Sequence, residues 1–190
     1  MISVIMASYL GEYPGAASNR EAKFRRAVDS FLSQEIGELV VVSDGCDITS
    51  RIVLDEYPQD NVVLVALPKQ PLFAGAVRQF GIKAATHDWI CYLDTDDEFR
   101  PGHLNAIVSH IDDVHEWMFY DDFLGNRRRN CDVAFARIGT SCITHKKNTT
   151  AVWPNGYNHD WKFIQQLGQK FKKIDGTGYV VNHVPGQLDQ

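Results

Sequence analysis

Short apolar runs alternate with helical periodicity over the first 115 residues or so. Residues 2–7 (Ile-Ser-Val-Ile-Met-Ala), 39–43, 61–67 and 89–93 read as strands. Between the first two, Phe24, Ala27, Val28, Phe31 and Leu32 recur at i, i+3, i+4, i+7 and i+8, the spacing of an amphipathic helix. Ser18 and Glu21 stand ahead of it as a capping box. A short helix is expected at 48–57, before Pro58, and Phe73, Val77, Phe80 and Ala84 share one helical face. Pro101 starts another helix, with Leu104, Ile107, Val108 and Ile111 facing inward. Strands that are apolar throughout, alternating with helices, are the signature of a parallel sheet covered on both faces.

Beyond about residue 115 the pattern changes. Strands are expected at 116–121 and 132–138, a strongly polar turn at 127–130, a helix at 160–171 and a last strand at 179–184. There is no repeat, low-complexity tract or Pro/Ser-rich linker. We therefore expect one α/β domain over 1–190, with a nucleotide-type half at 1–115 and a second half, 116–190, that completes an active site.

Composition narrows the class of function. A chain of 190 residues buries about 70% of its unfolded surface and needs no staple to fold. Hydrophobic residues at 44% and charged residues at 23% exclude a disordered tail. Nineteen basic against 24 acidic residues, a net charge of −5, argues against a dedicated nucleic-acid binder. The start has neither a basic leader nor a long apolar run, and no stretch reaches the roughly 20 apolar residues of a membrane span. A cytoplasmic location is the expectation, with Cys46, Cys91, Cys131 and Cys142 as reduced thiols. None of the four forms a C-x-x-C pair, which disfavours zinc. No lipidation motif argues for peripheral membrane association, which stays open as an alternative, and nothing reports the oligomeric state.

Ligands of open parallel sheets bind beyond the carboxyl ends of the strands. Ser8 and Tyr9 follow the first strand, Asp44 the second, and Asp94, Asp96 and Asp97 the fourth. So many acids on one edge repel one another unless a cation or hydrogen-bond donors sit among them. Oxygen ligands suit Mg²⁺ or Mn²⁺ bridging carboxylates and phosphate oxygens. Neither G-x-G-x-x-G nor G-x-x-x-x-G-K-[ST] accompanies the first strand, so no glycine cradle holds the phosphates.

The succession SVIMASY, VVVSDGCDITS and AGAVRQFGIKAATHDWICYLDTDDEFRPGHL resembles the family 2 glycosyltransferases, in their order and spacing, over residues 2–105 or so. The resemblance implies a GT-A fold, a nucleotide-sugar donor, by expectation a UDP-sugar, and a carbohydrate or glycolipid acceptor. It places Ala7, Ser8 and Tyr9 beside the base and ribose, and Asp44 on one of them. Arg78 falls near the diphosphate and sugar, with Gln79 where the family has Asn. Asp94, Thr95 and Asp96 match the D-x-D segment: Asp94 toward ribose or sugar, Asp96 on Mn²⁺ or Mg²⁺. Asp97 is a supporting acid. No role is assigned to the 12–19 loop.

Inverting transfer also needs a general base. The resemblance puts it at Asp160, after His159 where the family often has an acid; the alternative is a helix cap. His183 either completes the metal coordination or is structural. Thr140 and Ser141 fall beside the acceptor in the family's arrangement, or form an ordinary turn. Trp153 and Trp161 flank Asp160 and either stack on sugar or pack. The basic run Arg127–Arg129 either meets an anion or is a solvated loop. Two other classes of activity remain: a sugar-phosphate nucleotidyltransferase, and a nucleotide-sugar binding module without catalysis.

Overall fold

A computed structural model describes residues 1–14, 16, 18–184 and, as backbone, 188–189. Gly15 and Ala17, in the 12–19 loop, lie outside the described residues. The first half alternates as expected: β1 (Ile2–Ser8), α1 (Arg20–Leu32), β2 (Glu38–Asp44), α2 (Asp47–Glu56), β3 (Val62–Leu67), α3 (Ala74–Ala84) and β4 (Trp89–Tyr92). Next come β5 (Glu98–Phe99), α4 (His103–Ser109), β6 (Trp117–Phe119), β7 (Asp122–Leu124) and β8 (Arg127–Arg129). The chain continues through β9 (Ile143–Lys146), α5 (His159–Ile164), β10 (Phe171–Lys173), β11 (Tyr179–Val181), β12 (His183–Val184) and β13 (Leu188–Asp189).

The central sheet runs β10-β6-β9-β4-β1-β2-β3. Its β4-β1-β2-β3 part is parallel, and β9 enters antiparallel to both β4 and β6. A smaller sheet, β5-β11-β7-β8, lies beyond it. The parallel register pairs Ser8 with Ser43 and Asp44 with Leu67, while Leu93 N–H donates to the Ile5 carbonyl at 3.1 Å. Three strand ends therefore finish at one edge and carry Ser8, Asp44 and Asp94 together. β1 and β2 are almost wholly buried, whereas β3, an equally apolar run, is half-exposed because it is the sheet's edge.

Several expectations are corrected. The N-cap of α1 falls on Asn19, left-handed at φ 50, not on Ser18, and Glu21 pairs instead with Arg25. The buried face of α3 is Gly75, Val77, Arg78, Gly81 and Ile82; Phe73 and Phe80 are each 37% exposed. Gly81 turns that face inward, because a Cβ there would meet Ile5 Cγ2 at 2.5 Å and Val42 Cγ2 at 3.0 Å. Residues 132–138 form no strand: their amides close local bonds, Arg137 N–H to the Ala134 carbonyl and Asp132 N–H to the Arg137 carbonyl. The polar turn at 127–130 is instead strand β8, paired with β7. The helix expected over 160–171 stops at Ile164, Gly168 takes φ 82, and β10 follows. The 116–121 run shortens to β6 in the central sheet, and the 179–184 run splits into β11, in the smaller sheet, and β12, paired with β13.

Candidate active site

A cleft of about 1070 Å³ opens at the strand ends. Of the expected site residues, Ala7, Ser8, Tyr9, Asp44, Arg78, Asp94, Thr95, Asp96, Thr140, Ser141, Asp160 and His183 line it. Trp161 does not; its ring stands edge-on to Phe135, 6.3 Å away between centroids.

At one end, Ser8 and Thr49 share a hydroxyl hydrogen bond of 2.8 Å. Asp44 is buried at the end of β2, where Lys69 Nζ meets its Oδ2 at 2.5 Å and lies 4.1 Å from the Tyr9 ring centroid. Asp44 Oδ1 is buried without a hydrogen-bond donor among the described residues. Lys69 was missed in the sequence, and the signal for it is Gly45. That residue has φ 60, and a Cβ there would run into the Lys69 backbone, so the Asp-Gly turn lets the two segments touch.

The acids after β4 form a turn closed by Asp97 N–H to the Asp94 carbonyl, 3.2 Å. Asp97 faces inward, where the Tyr179 hydroxyl (2.9 Å) and Asn182 N–H (2.8 Å) bond its carboxylate. Burial, then the Asp94 and Asp96 charges, push the Asp97 carboxyl well above the usual range. It thus straps β11 to the acid turn at the floor of the cleft, where it lies with its neighbours. Arg26 of α1 holds the turn from behind, donating to the Asp96 carbonyl at 3.0 Å. Burial, then Asp94, raise the Asp96 carboxyl; His183 and Lys23 oppose the shift.

Arg78 joins the two ends. Its Nη2 meets Asp94 Oδ1 at 2.6 Å, and its Nη1 lies 3.2 Å from His159 Nε2 and 3.8 Å from Asp160 Oδ1. Its guanidinium sits 5.2 Å over the Trp153 ring, which stacks on Phe163 at 4.2 Å and donates its indole N–H to Tyr92. Burial works against the Arg78 charge; Asp94 and Asp160 outweigh it and keep the group protonated. Trp153 therefore packs beneath the arginine.

Asp160 stands in the first turn of α5, with His159 Nε2 3.1 Å from its Oδ1. Burial raises its carboxyl, but His159, Arg78 and the Thr140 hydroxyl together bring it below the ordinary value. Ser141 donates to Asp122 Oδ2 at 2.6 Å, and Arg129 binds the same carboxylate at 2.7 and 2.5 Å. The basic run is thus a paired strand: Arg128 meets Asp121 at 2.8 Å, and Arg129 reaches the cleft wall. Asp122, Cys131 and Cys142 were not legible as cleft residues: Asp122 opens a strand of three residues, which carries no clear period, and the two cysteines lie outside the strands.

The sequence profile of the Glycosyl transferase family 2 family matches residues 16–178. The chain belongs to that family. Among relatives of this glycosyltransferase chain, the succinoglycan biosynthesis protein ExoO of Rhizobium meliloti (strain 1021) is 39% identical over 100 residues, 51% of this chain and 28% of that protein. An uncharacterized glycosyltransferase of Nostoc sp. (strain PCC 7120 / SAG 25.82 / UTEX 2576) is 30% identical over 140 residues, 70% of this chain and 40% of that protein. The chain thus spans well under half the length of these relatives. The fold is that of Staphylococcus aureus TarS, solved with UDP-GlcNAc, at TM-score 0.76 and 16% identity, over 98% of this chain and 59% of that one. It is also that of the mannosyltransferase PcManGT from Pyrobaculum calidifontis, solved with GDP-Man and Mn²⁺, at TM-score 0.70 and 15% identity, over 98% and 57%. Both likenesses identify the α/β architecture as that of the GT-A glycosyltransferases. No described helix is long and apolar enough to cross a membrane.

Proposed function

We propose that this chain transfers a sugar from a UDP-sugar to a carbohydrate or glycolipid hydroxyl, with inversion and with Mn²⁺ or Mg²⁺ bound. The observation that carries the reading is the Asp94–Arg78–Asp160 connection across the cleft: one guanidinium spans the acid turn and the base candidate. Asp44 Oδ1, a buried acceptor without a donor among the described residues, matches the imide N–H of a uracil-type base. The TarS complex with UDP-GlcNAc and the relative's name in succinoglycan biosynthesis support donor and acceptor class.

The acids fit a hard divalent cation, since Asp96 is raised by burial and by Asp94, which is the mark of a carboxylate short of positive charge. Asp96 and His183 would hold the ion, with oxygen and imidazole donors that suit Mn²⁺. When bound it neutralises charge on the departing diphosphate. Arg78 orients the sugar side of the diphosphate and holds Asp94. Ser141 and Thr140 position the acceptor. Asp160 takes the proton of the acceptor hydroxyl as its oxygen bonds to the anomeric carbon. The carbon–oxygen bond to the nucleoside diphosphate breaks, and its electron pair leaves with UDP. A carboxylate ionised at neutral pH is ready for that role, although its depressed pKa makes it a modest base.

The test is a thermal-shift series over nucleotide-sugars with and without Mn²⁺, followed by product analysis. A donor-specific rise in Tm that needs Mn²⁺ is expected, and Asp96→Ala is expected to lose it while its ligand-free Tm stays near wild type. Full sugar transfer by Asp96→Ala would overturn the metal role, and a product of retained configuration would overturn inversion.

A further inference from the structure

One cluster on the cleft wall takes no part in the transfer chemistry. The side-chain ligating atoms of Asp122, Cys131 and Cys142 lie within 4.8 Å of one another, all buried. Asp122 is already held by two Arg129 nitrogens and the Ser141 hydroxyl. A cation there would compete with a guanidinium for the same oxygens, which makes the cluster a poor metal site. The two sulfurs have no such constraint. The Cys142 thiol donates to the Gly139 carbonyl at 3.4 Å, and Gly139 N–H donates back to Cys142 Sγ at 3.2 Å, which leaves the two sulfurs facing each other within 4.8 Å. Cys131 is 6% and Cys142 1% exposed, yet both border the cleft, through which a small oxidant reaches them.

We propose that Cys131 and Cys142 are a reversible disulfide-forming pair in the cleft wall, oxidised by a hydroperoxide and reset by a low-molecular-weight thiol. The neighbouring Cys142 thiol, with help from the Asp122 backbone and Arg129, lowers the Cys131 thiol against burial and the Asp122 charge, and Cys131, the more exposed of the two, is the attacking group. Its thiolate attacks a peroxide oxygen and the O–O bond breaks. Cys131 becomes a sulfenic acid, and the hydroxide leaving group departs as water with the proton Cys131 lost. The Cys142 sulfur then displaces the sulfenic oxygen, the S–S bond forms, and that oxygen leaves as a second water with the Cys142 proton. The two thiols give up two electrons and two protons, all taken by the peroxide. Two equivalents of small thiol reverse the reaction by exchange.

The bond has a consequence for the site. Two sulfurs within 4.8 Å of one another must close to about 2.05 Å. The 139–142 turn moves with Cys142, and it carries Thr140 against Asp160 and Ser141 on Asp122. A displacement on the order of 1 Å there lowers transfer roughly tenfold to a hundredfold. This consequence rests on the glycosyltransferase reading; the thiol chemistry does not.

The full chain is reduced, exposed to hydrogen peroxide, quenched by alkylation under denaturing conditions and mapped with trypsin without reductant. Peptides 130–137 and 138–146 are expected as one linked species. The intact mass should fall by two hydrogens, dithiothreitol should reverse the change, and Cys46 and Cys91 should stay alkylated. Cys131→Ser is expected to abolish the link. The proposal is overturned if no link forms, if Cys131 only gains oxygen, or if the link involves Cys46 or Cys91. A link that leaves transfer unchanged refutes the inhibitory effect. If the reduced protein transfers no sugar, the enzyme reading fails while the mass result still decides the thiol pair.

Discussion

Two buried histidines make this fold acid-sensitive, and His103 gives the sharper test. Gly178 N–H donates to His103 Nδ1 at 3.0 Å, so Nδ1 is an acceptor and the ring carries its proton on Nε2. Nε2 is buried with no partner among the described residues. Adding a proton means placing it on Nδ1, against an N–H donor, inside a ring of Phe99, Tyr120 and Tyr179. Burial accordingly pushes the imidazole down to about 3 from an ordinary 6.5. The unfolded chain takes up a proton as pH falls through 6.5, and the folded chain does not until about 3. The unfolded state therefore binds more protons in that window, and stability falls with pH through it. At about 1.4 kcal/mol per pH unit, the loss attributable to His103 between pH 7.5 and 4.5 is about 3 kcal/mol. That is a large share of the 5–15 kcal/mol typical of a domain. Asp97, whose carboxyl is raised, works in the opposite direction, so wild type alone does not isolate the effect. The measurement is urea unfolding at pH 7.5, 6.5, 5.5 and 4.5 for wild type and His103→Gln. The variant costs stability at pH 7.5, and the difference between the two proteins should shrink by about 3 kcal/mol toward pH 4.5. A difference that stays constant within ~0.5 kcal/mol would refute the argument, since each pH unit is worth about 1.4 kcal/mol. Gly178 precedes Tyr179, which bonds Asp97, so acid unfolding should also release the acid turn.

Other outcomes follow from the same geometry. Asp160→Asn should lower kcat by roughly 10²–10⁴-fold with little change in donor KM, read by initial rates, because it removes the proton acceptor and keeps the shape. Arg78→Lys keeps the charge but loses the fork that reaches Asp94 and His159 together. A fall in kcat/KM on the order of tenfold or more is expected, with far-UV circular dichroism unchanged. Gly81→Ala adds a methyl that Ile5 and Val42 already crowd, and should cost about 1–3 kcal/mol by urea unfolding.

The parallel half was legible because its information is local. Four apolar runs set four strands, and parallel pairing turns the residues that follow them into one edge, so Ser8, Asp44, Asp94 and Asp96 were placed before any contact was known. The face of α3 misled, since periodicity ranks Phe73 and Phe80 as core and cannot weigh a glycine pressed on two strands or an arginine buried by its partners.

The second half depended on pairings across long stretches of chain. The β9 strand reads as polar Ile-Thr-His-Lys, yet it is largely buried because it enters between β4 and β6, where His145 accepts the Tyr92 hydroxyl at 2.6 Å. Strands of three residues have too little length to show a period, and what holds them is a neighbour chosen by the whole fold. By itself the sequence determined the sheet's parallel core, the acids at its edge and the family resemblance. Tertiary structure alone decided that Asp97 straps the acid turn to Tyr179 and Asn182, that Arg78 spans to Asp160, and that two cysteines meet. Each of those depends on the direction of a side chain and on a partner far along the chain, which no local pattern encodes.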